Sequence, residues 1–195
     1  MILTKSQISQ LMLHGIQHEI LGPPAAGNAT RHANTFLGGN FQTVRIQGPC
    51  NLVRLVGPSS IYQTQPGDFW LESNLFSQAF YQASVELRQQ GFSGEKQGSY
   101  AGMMARFLLR DMLGVSHDWS NLDMFVSLNL PPGASLIALI GQARMQPYYS
   151  PNDPAHAGAE TANIRLPGLG TQIVIDFLLP DNRYAARLVS APMVF

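Results

Sequence analysis

Charge is scarce in this chain of 195 residues: Asp, Glu, Lys and Arg together make up 12%, about half the share usual in globular proteins. Lys+Arg 12 against Asp+Glu 12 leaves a formal net charge of zero, which argues against nucleic acid as a partner, since that binding needs a basic excess. Cysteine is nearly absent. Cys50 stands alone, so no internal disulfide can form, and no CxxC pair supplies zinc ligands. No apolar run reaches membrane-spanning length, and the N-terminus has neither the basic start nor the apolar centre of a signal peptide. The expectation is a soluble domain without membrane contact, working in a reducing compartment.

Familiar catalytic patterns are missing too. Gly168-Leu169-Gly170 lacks the third glycine and the following helix of a dinucleotide fingerprint. There is no GxxxxGK[ST] loop. Gly57-Pro58-Ser59-Ser60 lacks the flanking glycines of a nucleophile elbow, and Cys50 has no histidine beside it in sequence. Serine or cysteine hydrolase chemistry is therefore poorly supported.

What is present suffices for one domain with a sizeable core: 45% of residues are hydrophobic. Gln, Asn, Ser and Gly must supply much of the polar surface, a composition that suits coverage by a tight partner. Residues 4–21 read as an amphipathic helix with Ile8, Leu11, Met12, Ile16 and Ile20 at helical spacing, stopped by Gly22-Pro23-Pro24. His14 and His18 fall on one face of it, but without a third ligand nearby they read as an ordinary pair, and no metal is expected. Residues 22–40 read as loop, either a linker from a larger polypeptide or an ordered loop over a site. The division is thus 1–40, helix and loop, and 41–195, the functional domain.

Strands are expected at Phe41 to Ile46, Leu52 to Val56, Asp68 to Ser73, Leu122 to Leu130, Ser135 to Ile140 and Thr161 to Leu166. Gln172 to Leu179 and Arg183 to Val189 read as a hairpin about Pro180-Asp181-Asn182. Two helices are expected, 77–90 with Phe80, Val85 and Leu87 inward, and 100–113 with a stripe of Met103, Met104, Phe107, Leu108 and Met112. Arg106 and Arg110 on the second helix read as surface charge rather than an anion clamp. Residues 141–158 read as a polar loop.

Leu166-Pro167-Gly168-Leu169-Gly170-Thr171-Gln172 is a glycine-rich bend running into the β-branched stretch Ile173-Val174-Ile175-Asp176. Its glycines allow positive φ or close backbone approach, and the Gln172 amide can both donate and accept. It is the last of a series: Leu52-Val53-Arg54-Leu55-Val56-Gly57; Pro66-Gly67-Asp68-Phe69-Trp70; Val126 to Gly133 with its Pro131-Pro132-Gly133 turn; and Leu139-Ile140-Gly141-Gln142-Ala143-Arg144-Met145-Gln146-Pro147.

In order and spacing this series, from Leu52 to Asp176, resembles the C-terminal toxin domains of bacterial polymorphic toxins, and more narrowly the tuberculosis necrotizing toxin family and its type VI and Rhs effector relatives. The resemblance implies an α+β fold: an ADP-ribosyltransferase-like split, mainly antiparallel β-core, here with an N-terminal helix and a helical insertion. It implies cleavage of the nicotinamide–ribose bond of NAD, with NAD as substrate and no further cofactor. Arg54 would bind the NAD phosphates through charge-assisted hydrogen bonds. Phe69 and Trp70 would shape the nicotinamide pocket. Gln172 would stand where transferases carry their catalytic glutamate. Gly57, Ser59, Gln146, Gly168 and Gly170 would complete the NAD contacts, and Arg54, Phe69-Trp70 and Gln172 should line one cleft. Leu169 stands where relatives often have glycine, and residues 77–121 carry more helix than those relatives.

Departure of neutral nicotinamide leaves an oxocarbenium-like ribose, so catalysis needs orientation and electrostatic stabilisation with water as acceptor. Gln172 can position the ribose or the water but cannot serve as a base. Transfer to a macromolecule calls for a nearby carboxylate, for which Glu72, Glu160 and Asp176 are the candidates. Alternatives to hydrolysis are therefore ADP-ribosyl transfer and a catalytically inactive binding module of the same fold. The resemblance further implies a secreted effector without a signal peptide, acting in the target-cell cytoplasm, and a cognate immunity protein that plugs the cleft.

Overall fold

The computed structural model describes residues 15–22, 30–56, 68–115, 122, 124–148, 165–168 and 170–194. They form a mixed α/β architecture in which every described strand pair is antiparallel. The strands are β1 (His18–Gly22), β2 (Gln42–Gln47), β3 (Cys50–Val56), β4 (Phe69–Glu72), β5 (Met124–Leu130), β6 (Ser135–Gln142), β7 (Gln146–Pro147), β8 (Arg165–Leu166), β9 (Thr171–Val174) and β10 (Met193–Val194). Eight of them make one sheet in the order β1-β2-β6-β9-β4-β3-β5-β10, while β7 and β8 pair separately. The helices are α1 (Thr30–Ala33), α2 (Ser73–Gln89) and α3 (Gly94–Leu113), joined by a 3-10 stretch at Pro180–Leu188. No helix among the described residues is long and apolar enough to cross a membrane.

Alternation along β3 builds both cores at once. Leu52 and Val56 join Trp70, Leu128, Ile140, Ile173 and Phe177 on one face. Val53 and Leu55 join Leu71, Leu75, Leu109 and Met112 under the helices on the other. Side chains that repeat every second residue face the same way, so the four aliphatic residues Leu52, Val53, Leu55 and Val56 around Arg54 are what a sheet covered on both faces requires. Each fully buried Leu, Val or Ile contributes about 1.5–3 kcal/mol.

The helices bury smaller residues than their composition suggests. On α2 the inward positions are Leu75, Ala79, Ala83 and Leu87, and on α3 they include Ala101, Ala105, Leu109 and Met112. The expected stripe is only partly inward: Met112 is buried and Met104 and Leu108 pack against the cores, but Met103 is 38% and Phe107 50% exposed, and on α2 Leu87 is inward while Phe80 is 36% exposed. Alanines at i, i+4 spacing on both helices let the axes approach closely, and that gain outweighs the size of the flanking side chains. Arg110, expected at the surface, is 4% exposed and donates through Nη1 to the Val115 carbonyl at 3.0 Å. The α2 terminus is a Schellman motif: Gly91 N donates to Arg88 O (3.0 Å) and Phe92 N to Leu87 O (3.0 Å), with Gly91 at φ 87°.

Two further expectations are corrected. Residues 18–22 are an edge strand, not the end of a helix; residues 1–14, including His14, lie outside the described residues. His18 Nδ1 sits 2.9 Å from the Ile16 carbonyl, and Ile16 is buried in the core. Packing therefore crosses the 40/41 boundary, as does Phe36, which is 1% exposed and bridges to Ala143. The hairpin about Pro180 is absent as well. Chain direction turns after Val174, Asp176 Oδ1 accepts from Leu178 N (2.9 Å), and the 3-10 stretch begins with proline at its first turn. The reason is Asn182, fully buried: its Oδ1 accepts from Ile137 N (2.8 Å), while Nδ2 donates to Ile137 O (2.8 Å) and Asp176 O (2.9 Å). β6 pairs with β9 only from Leu139 onward, so this one side chain supplies Ile137 with the backbone partners that a strand would.

Candidate functional site

The sheet parts at β4. At one end β4 pairs with β3 through Leu52↔Glu72 and Val53↔Leu71. At the other it pairs with β9 through Phe69↔Val174 and Trp70↔Ile173. Arg54, Leu55 and Val56 are paired only with β5, and Thr171 and Gln172 only with β6. Four residues thus hold two differently directed halves together, and a cavity of about 500 Å³ occupies the opening.

Thr35, Arg54 to Val56, Phe69 to Leu71, Leu113 to Val115, Leu122, Gln146 and Gln172 line it. Arg54, Phe69, Trp70, Gln146 and Gln172, drawn from five parts of the sequence, are thereby brought together. They do not line it from one face of the sheet. Arg54 alternates onto the face of Leu52 and Trp70, whereas Gln172 alternates onto that of Leu71 and Val174. They meet at one cavity because pairing ends on either side of β4, leaving a gap open to both faces.

Electrostatically the cavity is mostly apolar with a few polar groups, the usual make-up of a small-molecule site. Among the described lining residues Arg54 alone carries charge, beside the neutral groups of Thr35, Gln146 and Gln172. Gln172 is 6% exposed, and its side chain, whose amide can both donate and accept, lines the cavity. Trp70 is 1% exposed and packs edge-on to Phe177 at 6.0 Å, whereas Phe69 remains 42% exposed. Phe69, then, is the aromatic surface accessible to a ligand, and Trp70 is chiefly core.

The glycines of the 166–170 bend sit elsewhere than expected. Gly168 and Gly170 are not among the lining residues. Gly168 N donates to Asp111 O (2.9 Å) and Gly170 N to Met112 O (2.9 Å), satisfying carbonyls in the last turn of α3. Gly168 has φ 64°, and a Cβ there would lie 2.7 Å from Ala143 O; one on Gly170 would lie 2.6 Å from Met112 O. Close backbone packing accounts for both glycines. Gln146, expected in a polar loop, lies on β7 against Leu166 of β8. Gly57, Ser59, Glu160 and Leu169 lie outside the described residues.

Of the carboxylates that transfer to a macromolecule would call for, the two among the described residues are engaged away from the cavity. Glu72 is 3% exposed and its Oε1 accepts from Asn74 Nδ2 at 2.8 Å; Asp176 caps the turn after β9. Three features escaped sequence reasoning. Thr35 and the helix end Leu113 to Val115 line the cavity. The buried His32 contacts Asp68 (Nε2–Oδ2 3.5 Å) and meets Phe69 edge-on at 6.0 Å. The signal for Thr35 and His32 was weak, because residues 22–40 lack apolar periodicity. Gly114 ends α3 with φ 62°, but nothing in sequence links it to Arg54 or Gln172. Comparison with protein-family models, with curated proteins and with solved structures finds no match.

Proposed function

We propose that this protein hydrolyses NAD at the nicotinamide–ribose bond. The observation that supports the reading is the meeting of Arg54, Phe69, Trp70 and Gln172 at one cavity of about 500 Å³, a size within the range of small-molecule sites. Arg54 supplies positive charge for the diphosphate, Phe69 an aromatic surface for the nicotinamide, and Gln172 an oriented amide for the ribose or the attacking water. The opposite-face register of Arg54 and Gln172 weighs against a site built on one face, so the reading requires the dinucleotide to thread the opening at β4. Hydrolysis is favoured over transfer because the candidate carboxylates among the described residues, Glu72 and Asp176, are engaged elsewhere. In this reading the fold is a variant of the split ADP-ribosyltransferase core, and the chain is the toxic part of a secreted effector acting in the target-cell cytoplasm. An immunity protein covers the cavity in the producing cell.

The test is direct. Purified protein is incubated with NAD, and nicotinamide release is followed with and without cell lysate. Stoichiometric release of nicotinamide and free ADP-ribose supports hydrolysis. Label retained on a macromolecule assigns transfer instead, and binding of NAD without turnover assigns the inactive binding module.

A further inference from the structure

Building on the NAD reading, we propose that Thr35 is a ligand-binding residue of the cavity and that it acts only as a hydrogen-bond acceptor. Thr35 lines the cavity beside Arg54, Gln146 and Gln172, yet it lies outside the 41–195 region expected to form the functional domain. Its placement is fixed. Thr35 N donates to His32 O (2.9 Å), Arg144 N donates to Thr35 O (2.9 Å), and the next residue, Phe36, is buried and stacks on Phe41 at 5.1 Å. Both backbone polar groups of Thr35 are therefore spent.

The hydroxyl proton is spent as well, since Oγ1 donates to the His32 carbonyl at 2.6 Å. A threonine hydroxyl has one proton and two lone pairs. What remains for a ligand is acceptor capacity and a methyl group. Arg54 can only donate, and the Gln146 and Gln172 amides do both, so Thr35 adds acceptor capacity on a wall where the guanidinium adds none. The ligand group it selects is a neutral N–H or O–H donor, which on NAD means the carboxamide, the adenine amino group or a ribose hydroxyl.

The experiment measures binding of NAD, of its nicotinic acid analogue (carboxylate in place of carboxamide) and of ADP-ribose, by calorimetry on the full chain. Thr35→Val should weaken NAD binding roughly 5-fold, the scale of one neutral hydrogen bond, and Thr35→Ser should stay within about 2-fold of the parent. If the carboxamide is the donor, the valine variant binds the analogue and ADP-ribose as the parent does. If a ribose hydroxyl or the adenine amino group is the donor, all three ligands weaken together. Thr35→Ala, with no bulk to accommodate, serves should the valine variant fail to fold. Unchanged NAD affinity in a folded valine or alanine variant overturns the assignment of Thr35 alone, as does a serine variant as weak as the valine one. A parent chain that binds none of the three ligands overturns the NAD reading together with this one.

Discussion

Arg54 and Gln172 line one cavity from opposite faces of the sheet. They do so because β4 gives up its pairing with β3 beyond Val53↔Leu71 and takes up β9 at Trp70↔Ile173. Their roles in the proposed reaction should separate in kinetics. Arg54→Ala should raise KM for NAD, the mark of lost ground-state binding. Gln172→Ala should lower kcat by about 10² or more, the scale of losing one oriented polar group, with unfolding midpoints close to the parent's. Gln172→Glu should keep part of the activity. A stable, fully active Gln172→Ala protein would reduce Gln172 to a structural amide.

The glycines offer a prediction about stability that needs no substrate. Gly168→Ala meets both a positive φ and a carbonyl oxygen 2.7 Å away, whereas Gly133→Ala meets a φ of 80° with nothing within 4 Å. The second should cost about 1–2 kcal/mol, the left-handed penalty alone. The first should cost more, because backbone of the 143–144 segment must shift. Urea denaturation of the two variants gives the order, and equal midpoints would contradict the packing described for the bend.

Cys50 should be a slow nucleophile. Burial, and secondarily the charge of Glu72, push its thiol up to about 11 from 9.0. At pH 8 that leaves ~100-fold less thiolate than an ordinary thiol, and alkylation by iodoacetamide should be slowed to match, returning to normal in denaturant. The sign for stability follows from proton binding: the folded state holds this proton more tightly than the unfolded one. The stabilisation is thus complete below pH 9 and is lost as pH rises through about 11.

Helix packing supplies a fourth test. Ala105→Leu places bulk where α3 is fully buried against the sheet and α2, and should destabilise by about 1–3 kcal/mol. Phe107→Ala, at a half-exposed position, should change thermal stability by much less. The reverse order would restore the large-residue stripe as the inward face.

Periodicity located the long elements well. β2, β3, β5 and β6 carry alternating or continuous apolar runs, and the structure places them within two residues of the expected bounds. It located faces less well, because hydropathy favours Met103 and Phe107 while helix approach favours Ala101 and Ala105. The hairpin at Pro180 failed for a non-local reason: Asn182 finds its partners on Ile137, which a local pattern cannot reveal. The gathering of Arg54, Phe69 and Gln172 at one cavity was expected only through the order of motifs. Thr35 was invisible, since its contribution depends on where Phe36 and Arg144 hold it, and a one-residue hydroxyl has no period.

β4 contains only four residues, and three of them, Phe69, Trp70 and Leu71, also line the cavity. The joint between the two halves and the contour of the recess are therefore written in the same residues. Elsewhere a sheet can exchange side chains on one face while its neighbours keep it whole. Here, reshaping the recess for a different molecule means altering the fastening itself. Adaptation of this protein to new ligands should accordingly proceed from the periphery, at Thr35, Gln146 or Val115, and leave the shared strand alone.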